Sequence, residues 1–393
     1  MARNKRKVFL FTSMGGFFNF GFSAIAFGSA LPAIERSLNI DHEKAGLILA
    51  TSSLGFFSAA FFTMVFGKKI GAFKSLALSM LINTVALFLI TGARAFLWLF
   101  VSYLLLNFGN GLLEIDSGVG ASIIEKKKRG SILNLMHSLY ALGAILSPVI
   151  VSLFLKNEGD WWIPFLIAAL SNSLVLIFSM GLLSVKLETP EGKSENLEKN
   201  INNSQKDPFF WLIMLGVFLY VGYEVGFSSW LAAYVYDVKE MSIRLAALFP
   251  SLLWLGLLIG RLLAGVFLER VGYSKTMLIL TAISLLSFIG VLYAKSGILI
   301  SLLVFGAGFG FSAMFPTLQA TLLRGSKLTA EISVSSFTFA ASLGATFSSY
   351  FIGFVGKLFG LGAGILLILF MILMEMFVVI TLYRRERLEG REA

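Results

Sequence analysis

The chain is poor in the residues that most enzyme chemistry requires. None of its 393 residues is cysteine, only 14% are charged, and the two histidines are His42 and His137. Without cysteine, disulfides and thiolate metal sites are excluded. The phosphate-binding pattern of Gly, four residues and Gly-Lys-Ser/Thr is also absent, which argues against ATP as an energy source. We therefore expect no enzymatic activity, no cofactor and no bound metal.

Apolar residues, by contrast, are in large excess. Hydrophobic residues make up 57% of the chain and its mean hydropathy is +0.85, which leaves too little polar surface for a soluble protein. Twelve apolar stretches are long enough to cross a bilayer, and lipid accepts runs of this kind only as helices. They lie near residues 8–34, 45–66, 75–92, 95–119, 131–155, 161–184, 208–236, 243–266, 275–295, 298–323, 330–355 and 361–383. The expected fold class is an all-α membrane protein with twelve transmembrane helices.

The basic residues that give the chain its net charge of +10 are unevenly distributed between the two sides of the predicted membrane. If both termini lie on one side of the membrane, that side holds 23 of the 32 Lys and Arg residues, against eight in the opposite loops. The positive-inside rule then places both termini in the cytoplasm, and the basic face suits anionic lipid better than nucleic acid. We expect a multi-pass protein of the cell (inner) membrane that contacts the lipid bilayer, does not bind nucleic acid and is a monomer.

The second half of the chain repeats the first at an offset of 201 residues. Gly21 and Gly55 correspond in this way to Gly222 and Gly256. Between the halves, the polar and charged stretch 186–207 predicts a cytoplasmic linker. We expect a six-helix bundle over 1–185 and a second, pseudo-symmetric bundle over 208–393. Tandem halves with a site between them near mid-membrane are typical of secondary transporters.

A loop motif agrees with the repeat. It reads Gly260-Arg261-Leu262-Leu263-Ala264-Gly265 at the end of the eighth helix and Glu269-Arg270-Val271-Gly272 after it, and Gly67-Lys68-Lys69-Ile70-Gly71 after the second. Gly, an acidic residue, Arg and Gly at short spacing in these two loops resemble the major facilitator superfamily. The first copy lacks the acidic residue. The resemblance covers the whole chain and implies the major facilitator fold.

Polar residues in the apolar helices are candidates for function because charges are costly at mid-membrane. On the fourth helix, Asn107, Asn110 and Glu114 are spaced three and four apart and so share a helix face. We expect this stripe to line a cavity or to pack against another helix, with Glu114 as a carboxyl that takes up and releases protons. On the fifth helix, Asn134 and His137 lie at a similar depth, and His137 is a second candidate for proton coupling.

The seventh helix adds an aromatic and acidic cluster of Tyr220, Tyr223, Glu224 and, two turns on, Trp230. Sugars are recognised by carboxylate and amide hydrogen bonds together with an aromatic ring stacked on their C–H face. The cluster supplies the carboxylate and the rings. Amides come from Asn19 on the first helix and Gln319 on the tenth. With Asn107, Asn110 and Asn134, these residues form the expected substrate-binding set.

Short sequences in four helices are similar to the fucose and glucose/mannose proton symporters of the superfamily. They are Gly109-Asn110-Gly111-Leu112-Leu113-Glu114 in the fourth, Asn134-Leu135-Met136-His137 and Leu142-Gly143-Ala144 in the fifth, Phe218-Leu219-Tyr220-Val221-Gly222-Tyr223-Glu224 in the seventh and Phe315-Pro316 in the tenth. The resemblance implies that Glu114 is the proton-linked acid and Glu224 a sugar contact. The fucose branch also has an acid in its first helix, where this chain has Phe22-Ser23-Ala24-Ile25.

The sequence thus predicts proton-coupled uptake of a hexose-like sugar by alternating access. Export of an amphiphile, such as a drug or a lipid-linked sugar, remains the alternative, since the helices are rich in Phe, of which the chain has 39. A receptor or scaffold is disfavoured because it has no need of acids inside both halves.

Overall fold

The computed structural model describes residues 3–124, 129–183, 207–326 and 330–389. In these ranges all regular structure is helical, and 12 spans are long and apolar enough to cross a membrane. The expected all-α, twelve-span fold class is confirmed. The linker expected at 186–207 lies outside the described residues except for Asp207.

Six spans precede the linker. They are formed by α1 (Arg3–Leu38), α2 (His42–Ile70), α3 (Ala72–Thr91), α4 (Phe96–Ile124), α5 (Arg129–Phe154) and α6 (Ile163–Ser179). A 3-10 turn, Glu158–Trp162, leads into α6. Asp41 caps α2, because its side chain accepts a hydrogen bond from the Lys44 backbone N–H at 2.9 Å.

Six spans follow it. They are formed by α7 (Pro208–Asp237), α8 (Phe249–Val271), α9 (Tyr273–Tyr293), α10 (Gly297–Phe311) with α11 (Met314–Gly325), α12 (Ala330–Phe359) and α13 (Leu361–Glu389). A one-turn helix, Ile243–Ala246, precedes α8. The tenth span is therefore broken into two helices, and the break lies at Ser312 and Ala313.

The backbone itself carries the 201-residue repeat. Gly71 joins α2 to α3 with φ 79°, and Gly272 joins α8 to α9 with φ 88°. Two non-glycine residues with positive φ, Asn39 at 50° and Glu240 at 55°, are separated by the same offset. Left-handed backbone is rare outside glycine, so its recurrence at one offset shows that corresponding turns of the two halves have the same geometry.

Two glycines at the same offset allow helices to touch. A Cβ on Gly143 of α5 would overlap the carbonyl oxygen of Phe18 in α1, and a Cβ on Gly344 of α12 would overlap that of Phe218 in α7. Small residues at such crossings bring helix backbones into direct contact. The first and fifth spans of one half thus pack in the same way as the seventh and eleventh of the other.

The described chain packs as two compact units. Unit 1 contains the described residues up to 183 and Leu231–Ser251, and unit 2 contains residues 207–230 and the described residues from Leu252 onward. The segment Leu231–Ser251, which the sequence placed in the second bundle, is held in unit 1 by polar contacts. Arg244 Nε donates to the Ser152 carbonyl at 3.1 Å, and the Ser251 hydroxyl donates to the Ile145 carbonyl.

We predict that Gly143→Ala destabilises the protein, since the added methyl group has no space beside Phe18. Overpacking of this kind costs about 1–3 kcal/mol, and a lower thermal unfolding temperature of the purified protein in detergent would report it. Gly118→Ala is the matched control, because no atom lies within 4 Å of the position that its Cβ would take. Equal unfolding temperatures for the two variants would contradict the close α1–α5 contact.

Candidate functional site

The polar residues of unit 1 separate into exposed and buried sets. Glu114 on α4 is exposed, as are Asn134 and His137 on α5. Glu114 lies within the span Phe96–Ala121, seven residues from its end and so about 10 Å along the helix. The His137 ring packs edge-on against Phe17, with centroids 5.2 Å apart. The Glu114 carboxyl and the His137 imidazole are thus not sealed inside the helix packing of unit 1.

Asn107 and Asn110 lie inside the helix packing. Asn107 Nδ2 donates to the Tyr103 carbonyl at 2.8 Å, and Asn110 Oδ1 accepts from Asn83 Nδ2 of α3 at 3.0 Å. A Cβ on Gly55 of α2 would be only 2.7 Å from the Asn107 Cβ. Contacts with α2 and α3 therefore bury Asn107 and Asn110. Glu114, the third residue of the expected polar stripe, is exposed.

Asn19 is likewise buried, and its Nδ2 donates to the Gly15 carbonyl of its own helix at 3.0 Å. The three buried amides, Asn19, Asn107 and Asn110, are thus distinct from the exposed amide of Asn134.

Unit 2 contains an ion pair inside its spans. Arg261 Nη2 of α8 lies 3.7 Å from Glu224 Oε1 of α7, and the side chains are 41% and 12% exposed. This separation is in the range of a charge pair and is too long for a strong hydrogen bond. Glu224 therefore has a cation beside it, while part of the Arg261 side chain is exposed.

A break in the backbone holds Arg261 in place. Pro316 lies in the first turn of α11 and has no N–H to donate to the carbonyl of Ser312, four residues earlier. Arg261 Nε donates to that carbonyl at 3.0 Å instead. The proline that breaks the tenth span thereby creates the acceptor that orients the guanidinium toward Glu224.

Two tyrosines of α7 lie close to Glu224. Tyr220 and Tyr223 are fully buried, with ring centroids 5.4 Å apart and edge-on. Neither hydroxyl has a hydrogen-bond partner of standard geometry among the described residues, although Tyr220 lies near enough to Glu224 and Arg261 to interact with both. Buried hydroxyls without partners are uncommon in native proteins, and these two leave donors free inside the unit.

The aromatic and amide candidates differ in exposure. Trp230 is fully buried and its Nε1 donates to the Ser349 carbonyl at 3.1 Å, which makes it a packing contact in this structure. Trp254 of α8 is half-buried, and its Nε1 donates to the Ser228 hydroxyl at 2.9 Å. Gln319 on α11 is half-buried. Trp254, which the sequence did not single out, therefore presents more ring surface than Trp230.

Two charged residues inside spans were missed from the sequence. Arg261 was assigned to the end of a helix as part of a loop motif, yet it pairs with Glu224. Glu375 on α13 was overlooked, although it is fully buried and neither carboxyl oxygen has a hydrogen-bond partner among the described residues. A charged residue alone in an apolar run was the signal available for both.

A second polar cluster lies where α1 and α7 end and α2 begins. His42 Nδ1 lies 2.8 Å from Glu35 Oε1, and Arg36 Nη2 lies 3.8 Å from Asp237 Oδ1. Ligand atoms of Glu35, His42 and Asp237 fall within 4.8 Å of one another, a spacing that a metal ion could use. The guanidinium of Arg36, which also lies 4.6 Å above the Tyr236 ring, places a positive charge there. Arg36 thus supplies a cation to the cluster, and its contact with Asp237 joins segment Leu231–Ser251 to α1.

Known proteins share both the sequence pattern and the fold. The glucose/mannose transporter GlcP of Bacillus subtilis (strain 168) is 24% identical over 351 residues, covering 86% of this chain and 85% of its own. A TsgA homolog of Buchnera aphidicola subsp. Schizaphis graminum is 23% identical over 246 residues, covering 62% of this chain and 61% of its own.

Solved structures agree in fold at low identity. The nucleoside transporter NupG superposes with a TM-score of 0.75 at 15% identity, covering 97% of this chain and 99% of its own. A bacterial homolog of the human lysosomal transporter Spinster gives 0.78 at 13% identity, covering 96% of this chain and 97% of its own.

The family model described as Major Facilitator Superfamily matches residues 12–333. This match spans most of the chain, and it agrees with the twelve apolar spans and with the transporters that share the fold. The chain therefore belongs to the Major Facilitator Superfamily and is a multi-pass membrane transporter rather than an enzyme.

Proposed function

We propose that this transporter couples the uptake of a hexose-like sugar to the movement of protons by alternating access. The observation that carries the proposal is Glu114, a carboxyl that is exposed although it lies within a membrane span. A charge facing hydrocarbon at mid-span costs roughly 2.5–3.5 kcal/mol on insertion scales. An exposed surface at this position is therefore better explained by contact with water in a transport path.

Neighbouring groups suit a proton-linked site. Asn134 and His137 are exposed on the adjacent helix α5, and the described residues give Glu114 no counter-ion. A carboxyl without a cation can gain and lose a proton as its surroundings change, which coupling requires. We assign proton coupling to Glu114, with His137 as an accessory group.

The assignment of a sugar rests on unit 2. The partly exposed Glu224–Arg261 pair offers both an acceptor and donors for hydroxyl groups, and Trp254 offers a half-buried ring. The Gln319 amide and the Tyr220 hydroxyl can likewise form hydrogen bonds with sugar hydroxyl groups. Similarity to the Bacillus subtilis glucose/mannose transporter, at 24% identity, supports a hexose. We place the protein in the cell membrane with both termini in the cytoplasm, as the distribution of Lys and Arg indicates.

Uptake of labelled hexoses into proteoliposomes under an imposed inward proton gradient tests the proposal. We expect accumulation that needs the gradient and disappears when it is collapsed. Thermal-shift measurements with hexoses and with detergent-like amphiphiles form the second arm, since a ligand stabilises the state it binds. Stabilisation by amphiphiles alone, without gradient-driven hexose uptake, would support export of an amphiphile instead.

We predict that Glu114→Gln abolishes the part of uptake that the proton gradient drives. Glutamine keeps the size and the hydrogen-bonding oxygen of the side chain but cannot exchange a proton. Sugar exchange between the two sides at equal pH should persist, because it needs no net proton movement. Glu240→Gln, at an exposed position outside the spans, should behave as wild type. Gradient-driven accumulation by Glu114→Gln at the wild-type level would refute the assigned role.

We predict that Arg261 and Glu224 are energetically coupled. Arg261→Met leaves Glu224 without its cation and the Ser312 carbonyl without its donor, so it should lower both the unfolding temperature and the affinity for sugar. Adding Glu224→Gln should recover part of the lost stability. Residues in one charge network typically couple by about 0.5–3 kcal/mol, and a double-mutant cycle on thermal stability measures this. Strictly additive effects would show that the pair does not interact.

A further inference from the structure

Glu375 lies near the middle of the last span and is fully buried. It is 14 residues from the first residue of the span Leu361–Leu388 and 13 from the last. The next charged residue along α13 is Arg384, nine positions on and so about 13–14 Å away along the helix axis. An ionised carboxylate at this depth, with no cation on its own helix, is at the position where a charge is most costly.

The side of α13 that carries Glu375 packs against α7. Met371 and Val378, four residues before and three after, are neighbours of Glu375 on one helix face. A Cβ on Gly222 of α7 would overlap the Met371 methyl group, and a Cβ on Gly216 would be 3.3 Å from Val378 Cγ1. Glu375 therefore lies between two points at which α7 and α13 touch.

Tyr223 is the titratable group that faces Glu375 from α7. Tyr223 lies close enough to Glu375, Tyr220 and Glu224 for a charge on either carboxyl to act on its hydroxyl. Beyond Tyr220, the cluster continues to the Glu224–Arg261 pair. A line of polar groups thus runs from α13 through the two tyrosines of α7 to the site assigned to the sugar.

The other helices packed on α13 bring no described charge to the level of Glu375. The charged or titratable side chains described on α9 lie in its first or last turn, and those on α12 lie toward its Phe359 end. They are Tyr273, Lys275 and Tyr293 on α9, and Tyr350 and Lys357 on α12. At mid-span these helices offer hydroxyls such as Thr281 and Ser284, and both donate to carbonyls of their own helix.

Four polar atoms in this region have no hydrogen-bond partner among the described residues. They are both carboxyl oxygens of Glu375 and the hydroxyl oxygens of Tyr220 and Tyr223. A carboxyl that carries a proton needs no counter-ion and can both donate to and accept from a hydroxyl, whereas an ionised one accepts only. The surroundings of Glu375 therefore match a neutral acid beside a tyrosine rather than a structural ion pair.

We propose that Glu375 is a proton-binding site inside unit 2, separate from Glu114 in unit 1. It binds one proton on a carboxyl oxygen and releases that proton to water, so that the carboxylate then adds a negative charge near Tyr223 and the Glu224–Arg261 pair. The inference rests on the proposed function only in linking this proton to sugar transport. The site itself is independent of the substrate.

Infrared difference spectroscopy of the full-length protein in lipid nanodiscs, recorded while the pH is raised, tests the site directly. Wild type should show a protonated-carboxyl C=O band that is lost on deprotonation. Glu375→Gln should lack that component, and Glu386→Gln, an exposed position on the same helix, should keep it. If Glu375→Gln does not fold, Glu375→Leu takes its place, because leucine is apolar like the residues around it.

An unchanged band pattern in Glu375→Gln, or a band that never titrates, would overturn the proposal, as would a response to Na⁺ in place of protons. A second measurement, the number of protons moved per sugar in proteoliposomes, should fall in Glu375→Gln. Absence of any sugar-driven proton flux in wild type would refute the proposed function, whereas the infrared result would still decide the role of Glu375.

Discussion

The cost of placing a charge in hydrocarbon constrains every part of this protein that matters for transport. A membrane span accepts an ionisable side chain only if it meets water, meets a counter-ion or is neutral. Three glutamates inside the spans represent these three cases. Glu114 is exposed, Glu224 is paired with Arg261, and Glu375 is buried without a partner among the described residues. Each arrangement implies a different chemistry for the same functional group.

At the break between α10 and α11, a side chain supplies the hydrogen bond that the backbone lacks. Lipid supplies no hydrogen bonds, so a carbonyl freed by proline needs a partner from the protein. Pro316 leaves the Ser312 carbonyl without a backbone donor, and Arg261 donates a hydrogen bond to it instead. The same contact brings the guanidinium close to Glu224. One irregularity in a helix thereby fixes the position of the cation described in the unit 2 site.

Much of the fold was predictable because its determinants are local. Apolar runs of spanning length define the helices, and the 201-residue offset anticipated the matching left-handed turns at Gly71 and Gly272. The faces of the helices were less predictable. Asn110 was grouped with Glu114 by spacing, but its partner Asn83 lies 27 residues away on α3. Trp230 is satisfied by Ser349, 119 residues away. Contacts of this range cannot be derived from helical periodicity.

Under the proposed function, sugar and protons move together through a path that reaches Glu114. Sugar-induced pH change in a weakly buffered suspension of cells or proteoliposomes tests it most directly. Adding a transported hexose outside should make the medium more alkaline with wild type, and should leave its pH unchanged with Glu114→Gln. Hexose entry without any pH change in wild type would contradict the account.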